Sequence, residues 1–404
     1  MGYKTYTCPI ARTCGGCEWL AVPYPIQLKR KQAYLEELFA EELAQDGAEL
    51  APIVGMEEPV GYRHKAASPY APGPTRAQRH GHGRAWMRSG FYAAGSHKII
   101  RCEKCLVEAN GLRDILNDVA KVAQSLHIAA YEEDKGKGVL RYAVVRSGFA
   151  TGECMLTVVT AAELPRQKEF IAQMLKKHPE ITTIVNNLNA RRGNAILGRV
   201  SKTIFGPGVI YDKLLGCTFE IRPTSFYQTN PAQTEKLYQL AIEGAVLTGK
   251  EHILDTYCGT GTIGLCALSE LKARGLVGSL TGVEVVQSAV TCARKNAVRN
   301  GVQDSCQFLA QDATAYMHAL GKKNNGAVDV VFMDPPRAGS TLEFCNGVVA
   351  CAPKRIVYIS CNPETQKRDL AWLRAGGYRV EKISAVDMFP HTKHVETVAL
   401  LERR

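Results

Sequence analysis

The sequence has no uninterrupted apolar stretch of about 18 residues, the length a membrane-spanning helix needs, so no transmembrane helix is expected. Behind Lys4 the opening MGYKTYTCPIARTCGGC carries no long apolar run, which argues against a secretory signal and leaves the cytoplasm as the default. Acidic residues are in deficit: 39 Asp and Glu face 50 Lys and Arg, for a net charge of +11. That surplus suits a polyanionic partner, because each cation that meets a phosphate releases condensed counterions; a merely soluble basic protein is the plainer alternative. No internal repeat is apparent. With 46% hydrophobic and 22% charged residues the composition gives no sign of disorder, and 404 residues suffice for two or three domains with sizeable cores.

Cysteine, by contrast, is plentiful, at fourteen residues. A secreted disulfide framework is expected in a small chain with a signal peptide, and neither condition holds. In a cytosolic protein such residues are buried small hydrophobes, metal ligands or nucleophiles.

The chain divides by pattern. Residues 1–22 form a Cys/Gly-rich segment. Residues 23–50 contain a helical period over Gln27–Leu43, with Leu28, Leu35, Leu38, Phe39 and Leu43 on one face and lysines opposite, predicted to pack on the catalytic domain. Residues 51–222 read as β-rich, with the runs LRYAVVRS, CMLTVVT, TTIVNNL, NAILGRV and TFEIRP. Within them SPYAPGPTRAQRHGHGRAWMRSG reads as a basic surface loop, either merely solvated or in contact with a nucleic acid. Residues 223–404 alternate strand and helix: HILDTY, SLTGVEVV, VDVVFMDPP, RIVYIS and TVALLE are the buried-strand candidates. This predicts an α/β fold, a doubly wound sheet with ligands at the carboxyl ends of its strands.

At the first of those ends, Asp255-Thr256-Tyr257-Cys258-Gly259-Thr260-Gly261-Thr262 provides glycines for a tight turn at a helix start. Glu284 closes the next strand, where an acid can accept hydrogen bonds from ribose hydroxyls. Asp312 lies near the end of a third strand and Asp334 closes a fourth. Strand-end capping is the bland role for each acid singly. Jointly they fit a nucleoside-bearing cation such as S-adenosylmethionine. NAD stays open at this point, because Gly259, Gly261 and Gly264 formally satisfy Gly-x-Gly-x-x-Gly, although Asp255 ahead of them suits a cation better than a pyrophosphate.

The strand RIVYIS runs into Cys361-Asn362-Pro363, placing a thiol at the ligand crevice, where a nearby cation or helix terminus would favour its thiolate. Before the last strand, Asp387-Met388-Phe389-Pro390-His391-Thr392-Lys393-His394-Val395-Glu396 sets a carboxylate amid histidines and a lysine. Structural capping by Glu396 and a His-x-x-His metal site are the alternatives. Near the start, Cys8, Cys14 and Cys17 are spaced Cys-x5-Cys-x2-Cys, and a Cys102-x-x-Cys105 pair can complete a metal site. Spacing alone leaves zinc and an iron–sulfur cluster open, besides unliganded thiols.

In order, SFYQTNPAQTEKLY, DTYCGTGTIGL, MDPPRAG, YISCNPETQKRD and MFPHTKHVET resemble the RNA (uracil-C5)-methyltransferase family, which makes 5-methyluridine. The resemblance covers most of the chain. It implies a Rossmann-like catalytic domain, S-adenosylmethionine as donor and a covalent enzyme–RNA intermediate. It makes Cys361 the nucleophile, Glu396 the base, and Gln228, Tyr257, Thr262, Glu284, Asp312 and Asp334 cofactor-binding residues. The family's rRNA-modifying members carry CP-x4-CGGC and a later cysteine as ligands of a [4Fe–4S] cluster, which implies Cys8, Cys14, Cys17 and Cys105, with Cys102 spare. That pattern differs from the radical enzymes' Cys-x3-Cys-x2-Cys, so a structural or RNA-organising cluster is expected. Several members begin with a small oligonucleotide-binding barrel, for which the motif at residue 8 leaves no room here; RNA recognition is expected to rest on the cluster segment, the middle domain and a basic face.

The substrate implied is 23S rRNA, with tRNA second, and a monomer is the default. Asp-Pro-Pro also suggests an amino-methyltransferase, but those enzymes follow it with an aromatic, where Arg337 stands here, and need no thiol. A non-catalytic RNA-binding protein would need neither Cys361 nor Glu396.

Overall fold

The computed structural model describes residues 4–73, 87–193, 195–323 and 328–404. The doubly wound sheet is present. Its eight strands lie in the spatial order Glu49–Leu50, Tyr378–Val386, Glu396–Arg403, Arg355–Ser360, Val330–Met333, His252–Thr256, Ser279–Glu284 and Cys306–Ala310. Glu396–Arg403 runs antiparallel to both its neighbours, and the other pairings are parallel. Val330–Met333 is buried along its length, as a strand covered on both faces must be. One face packs under helices Pro231–Ala245, Thr262–Ala273 and Gln287–Arg299, through Leu237, Leu265 and Val290. The other lies under Ala313–Lys323, Leu342–Cys351 and Pro363–Ala375, through Met317, Phe344 and Leu370.

Leu35 and Phe39 of the N-terminal helical stretch join that second core. The helix runs Tyr24–Leu38, breaks at Phe39 and resumes over Ala40–Gln45. Its buried stripe is Gln27, Lys31, Leu35, Phe39, one position every four residues, so the predicted lysine face is corrected at Lys31. That ammonium is buried because it meets Asp387 Oδ1 at 2.6 Å and the His394 carbonyl at 2.7 Å. No helix among the described residues is long and apolar enough to cross a membrane.

The middle region forms a seven-stranded sheet in the order Ile99–Arg101, Arg88–Tyr92, Lys65–Ala71, Leu140–Ser147, Cys154–Thr160, Ile181–Leu188, Val200–Phe205. The basic loop predicted over residues 68–90 is thus bounded by strand at both ends, and residues 74–86 lie outside the described residues. Two helices that the β-rich reading missed, Leu112–Ser125 and Gln167–Lys177, cover one face. Leu112, Ile115, Leu116 and Val119 repeat at helical spacing and meet Phe170 and Met174 there. The strand expected at NAILGRV begins only at Val200. Asn189 Nδ2 binds the Ala195 and Ile196 carbonyls and Asn187 Oδ1 accepts from Gly198 N, so side chains replace the ladder. The hairpin Ile210–Leu214/Cys217–Ile221 straddles the expected boundary at residue 222: Leu214 and Phe219 join the catalytic core, whereas Ile210 and Ile221 meet Met155 and Val185 of the middle sheet.

Candidate active site

Strand His252–Thr256 ends in a turn that re-enters helix at Thr262. Gly261 takes φ +80°, which glycine adopts without penalty. Tyr257 takes φ +61°, and a bulky side chain held there stores of order 1–3 kcal/mol of strain. Glu284, at the end of Ser279–Glu284, fastens the turn: Oε2 accepts from Gly259 N at 3.1 Å and Oε1 from Val286 N at 2.8 Å. Asp255, expected to favour a cationic ligand, is buried and accepts from Gly264 N at 3.1 Å. Burial raises its carboxyl to about 8, so it serves as a neutral brace beneath the turn.

A cavity of about 860 Å³ opens above these strand ends. Of the residues predicted from sequence, Gln228, Tyr257, Thr262, Glu284, Asp334, Cys361 and Glu396 line it. Asp312 does not; it is exposed, and its Oδ1 accepts from Ala315 N at 2.9 Å, capping helix Ala313–Lys323. The sheet register explains how two distant motifs meet. Ser360 pairs with Thr397 across antiparallel strands, so the next opposing positions are Cys361 and Glu396, and opposing residues of such a pair share a face.

The electrostatics of this trio differ from the expected poised thiolate. Burial, then the charges of Glu396 and Asp334, raise the Cys361 thiol; Arg337 acts the other way and is outweighed. Burial, reinforced by Asp334, pushes Glu396 up to about 8, and burial alone pushes Asp334 up to about 7. Three groups that all resist negative charge around one space form a site in which protons, not ion pairs, are exchanged.

The surrounding loops are tied down. Asp369, fully buried, accepts from Tyr358 Oη at 2.6 Å, from Ser340 N at 2.7 Å and from Arg368 Nη2 at 2.7 Å. Arg368 also donates to the Ser340 carbonyl at 2.9 Å, and Asn362 Nδ2 to the Arg337 carbonyl at 3.1 Å. The Asp334–Arg337 segment is thereby fixed to the helix that follows Cys361. On the other side, His391 holds φ +67°, its Nε2 meets the Pro59 carbonyl and its Nδ1 meets Gln27. Both ring nitrogens are occupied, which removes the His-x-x-His metal alternative.

Among the cavity residues that escaped the sequence reading, three stand out. Tyr238 hydrogen-bonds Thr262 Oγ1 at 3.2 Å, and Phe226, 72% exposed, stands at the mouth. Arg63 comes from the middle region, where no local signal marks it. An aromatic two residues before Gln228 was the available clue for Phe226.

Cys8, Cys14, Cys17, Cys102 and Cys105 converge on one small cavity far along the chain from these motifs. Burial and the neighbouring thiols push Cys17 up to about 11. Cys102 donates to the Lys104 carbonyl at 3.2 Å. Among the described residues no three His, Cys, Asp or Glu side chains are arranged to hold a metal ion, so neither the zinc nor the iron–sulfur reading finds a preformed site.

A cavity at the carboxyl edge of a doubly wound sheet is where α/β enzymes with nucleotide-type cofactors hold their ligands, and that is the class this fold defines. The family profile described as tRNA (Uracil-5-)-methyltransferase matches residues 210–404. An RNA methyltransferase of Bacillus cereus is 36% identical over 99% of this chain and 83% of its own length. One from Staphylococcus aureus is 39% identical over 97% of this chain and 83% of its own. The solved tRNA (uracil-54, C5)-methyltransferase of Pyrococcus abyssi, in complex with S-adenosyl-L-homocysteine, is 28% identical with a TM-score of 0.75, covering 96% of this chain and 86% of that one. The chain belongs to the RNA (uracil-5-)-methyltransferase family and is an RNA methyltransferase.

Proposed function

We propose that this enzyme methylates carbon 5 of a uracil in 23S rRNA through a covalent adduct between Cys361 and carbon 6. The observation that carries the reading is that Cys361 and Glu396, each adjoining the paired residues Ser360 and Thr397 of neighbouring strands, line one cavity. Carbon 5 of uracil is a weak nucleophile. The Cys361 thiol gives its proton to water, and addition of the thiolate to carbon 6 breaks the 5,6 double bond and moves its electron pair onto carbon 5. S-adenosylmethionine, when bound, supplies the electrophilic methyl group that carbon 5 takes up. Glu396 then accepts the proton of carbon 5, the double bond re-forms, and the Cys361 sulfur leaves. A carboxylate raised to about 8 is a stronger base than an ordinary one, which suits removal of a carbon-bound proton.

Gln228, Tyr257, Thr262 and Glu284 are the cavity groups assigned to the cofactor, with Glu284 free to accept further hydrogen bonds beyond the two backbone amides it holds. Asp312, on the rim of the same sheet edge, is assigned to the adenine. Asp334 is assigned to the cofactor or the uracil edge. The target base must leave its stack to enter so recessed a cavity. Cys8, Cys14, Cys17 and Cys105 would hold the [4Fe–4S] cluster as a structural element with no redox step, a reading supported by the cavity they share, which Cys102 also lines. We place the enzyme in the cytoplasm as a monomer.

tRNA is the second reading, favoured by the name of the matching profile and of the Pyrococcus protein. Transfer of labelled methyl groups to unmodified 23S rRNA and to tRNA, followed by mapping of the modified base, tests the substrate. Glu396→Gln should accumulate a denaturation-resistant protein–RNA adduct; undiminished methylation by Cys361→Ala would refute the nucleophile. Anaerobic iron and sulfide analysis tests the cluster, and stoichiometric zinc alone would overturn it.

A further inference from the structure

Lys65 and Arg146 are directly opposed on the adjacent strands Lys65–Ala71 and Leu140–Ser147. Like charges in that position destabilise a sheet, and this pair has nothing nearby to offset it. Lys65 is half-buried, yet its ammonium has no hydrogen-bond or ion-pair partner. Arg146 is 5% exposed; one Nη donates to the Ser225 carbonyl at 2.7 Å, while its buried Nε has no partner. Burial and the Arg146 charge lower Lys65 to about 8, and burial alone lowers Arg146 to about 10; no carboxylate acts on either.

A buried donor without a partner is rare in folded proteins and calls for a missing ion or ligand. Arg146 holds one such donor, and the Lys65 ammonium opposite it has no ion-pair partner; two cations side by side without a carboxylate call for an anion. The pair stands beside the catalytic cavity: Arg63, two residues before Lys65, lines it and likewise has a buried, unpartnered Nε. The adjoining His64 amide donates to the Thr229 carbonyl, and Arg146 holds the carbonyl just before Phe226. Two residues of extended chain advance about 6.6 Å, a step comparable with the spacing of neighbouring phosphates on a stretched single strand.

We propose that Lys65 and Arg146 form a binding site for a backbone phosphate of the substrate RNA beside the nucleotide that enters the cavity. This rests on the RNA reading of the active site and not on which RNA is modified. The phosphate would occupy the unfilled donors, relieve the repulsion across the strands, and fix the strand direction of the RNA over the segment from Ser225 to Gln228. Phosphate contacts of this kind set register and carry no sequence information.

The test uses the full-length protein and the variant Lys65→Met, with Lys65→Arg as rescue. The readouts are RNA affinity as a function of salt, S-adenosylhomocysteine affinity and melting temperature. Lys65→Met should weaken RNA binding about tenfold and lower the slope of log affinity against log salt by about one, leave S-adenosylhomocysteine affinity unchanged, and raise the melting temperature of the free protein. Lys65→Arg should restore the slope. A lysine with a purely structural role would instead lower the melting temperature and leave the slope intact, and that result would overturn the proposal. Inorganic phosphate separates the sources: stabilisation of the wild type at low millimolar phosphate with no effect of Lys65→Met on RNA would assign the site to free phosphate and also overturn it. Wild-type protein with no salt-dependent RNA affinity would sink the RNA reading itself.

Discussion

The two regions that meet at the cavity have opposite chemistry. The catalytic sheet presents Asp334 and Glu396, carboxyls raised by burial to about 7 and about 8, beside a thiol that resists ionisation. The middle region presents Arg63 to the cavity, with Lys65 and Arg146 on adjacent strands close by in the chain, cations that no carboxylate pairs. One wall holds protons tightly and the other lacks anions. The contrast teaches a division by charge: the acids and thiol of one region are desolvated beside one another, while the cations of the other stand without a counter-charge.

The largest blow to the catalytic wall should come from Cys361→Ala, with a loss on the order of 10⁴ or more in single-turnover methylation. A smaller loss would show that the thiol only lines the site. Next is Lys31→Met, which leaves Asp387 buried without its cation; urea titration should find about 3–5 kcal/mol less stability, and an unchanged midpoint would mean that the loop before Glu396 is held by other contacts. Asp369→Asn should cost roughly ten- to a hundredfold in kcat by loosening the segment around Arg337, with RNA affinity nearly unaffected. An equal loss of RNA affinity would blur the distinction between the walls.

A pH series probes the contrast more gently. Glu396 is raised above its unfolded value, so the stability it contributes is present below the ordinary carboxylate range and is lost as pH climbs through about 8. Melting temperature should therefore fall from pH 6 to 9 less steeply in Glu396→Gln than in the wild type, while wild-type methylation rises over the same window as the base ionises. Parallel melting curves for the two proteins would count against the buried carboxyl. The smallest effect is expected of Asp312→Ala: about 1 kcal/mol from the lost helix cap, plus whatever weakening of cofactor affinity calorimetry detects.

What was legible in the sequence had local causes. Strands buried on both faces read as continuous apolar runs, so Val330–Met333 and Arg355–Ser360 were visible, and strand-end motifs could be placed at the ligand edge. The helix Leu112–Ser125 was legible too, but its period was passed over amid β-rich neighbours. Lys31 was misread because its burial depends on Asp387, a residue far along the chain. Asp255 and Glu284 look alike as strand-end acids, yet one braces the turn from below and the other lines the cavity.

By itself the sequence determined the alternating elements of the catalytic region, the order of its motifs and the presence of a thiol and a carboxylate near two strand ends, because periodicity and turn chemistry act over a few residues. Only the tertiary structure decided that Cys361 and Glu396 share a cavity, that both are desolvated beside Asp334, and that Arg63 of the middle region lines the same space. Strand register and burial are long-range properties, and the proton affinity of a side chain follows from them rather than from its neighbours in sequence.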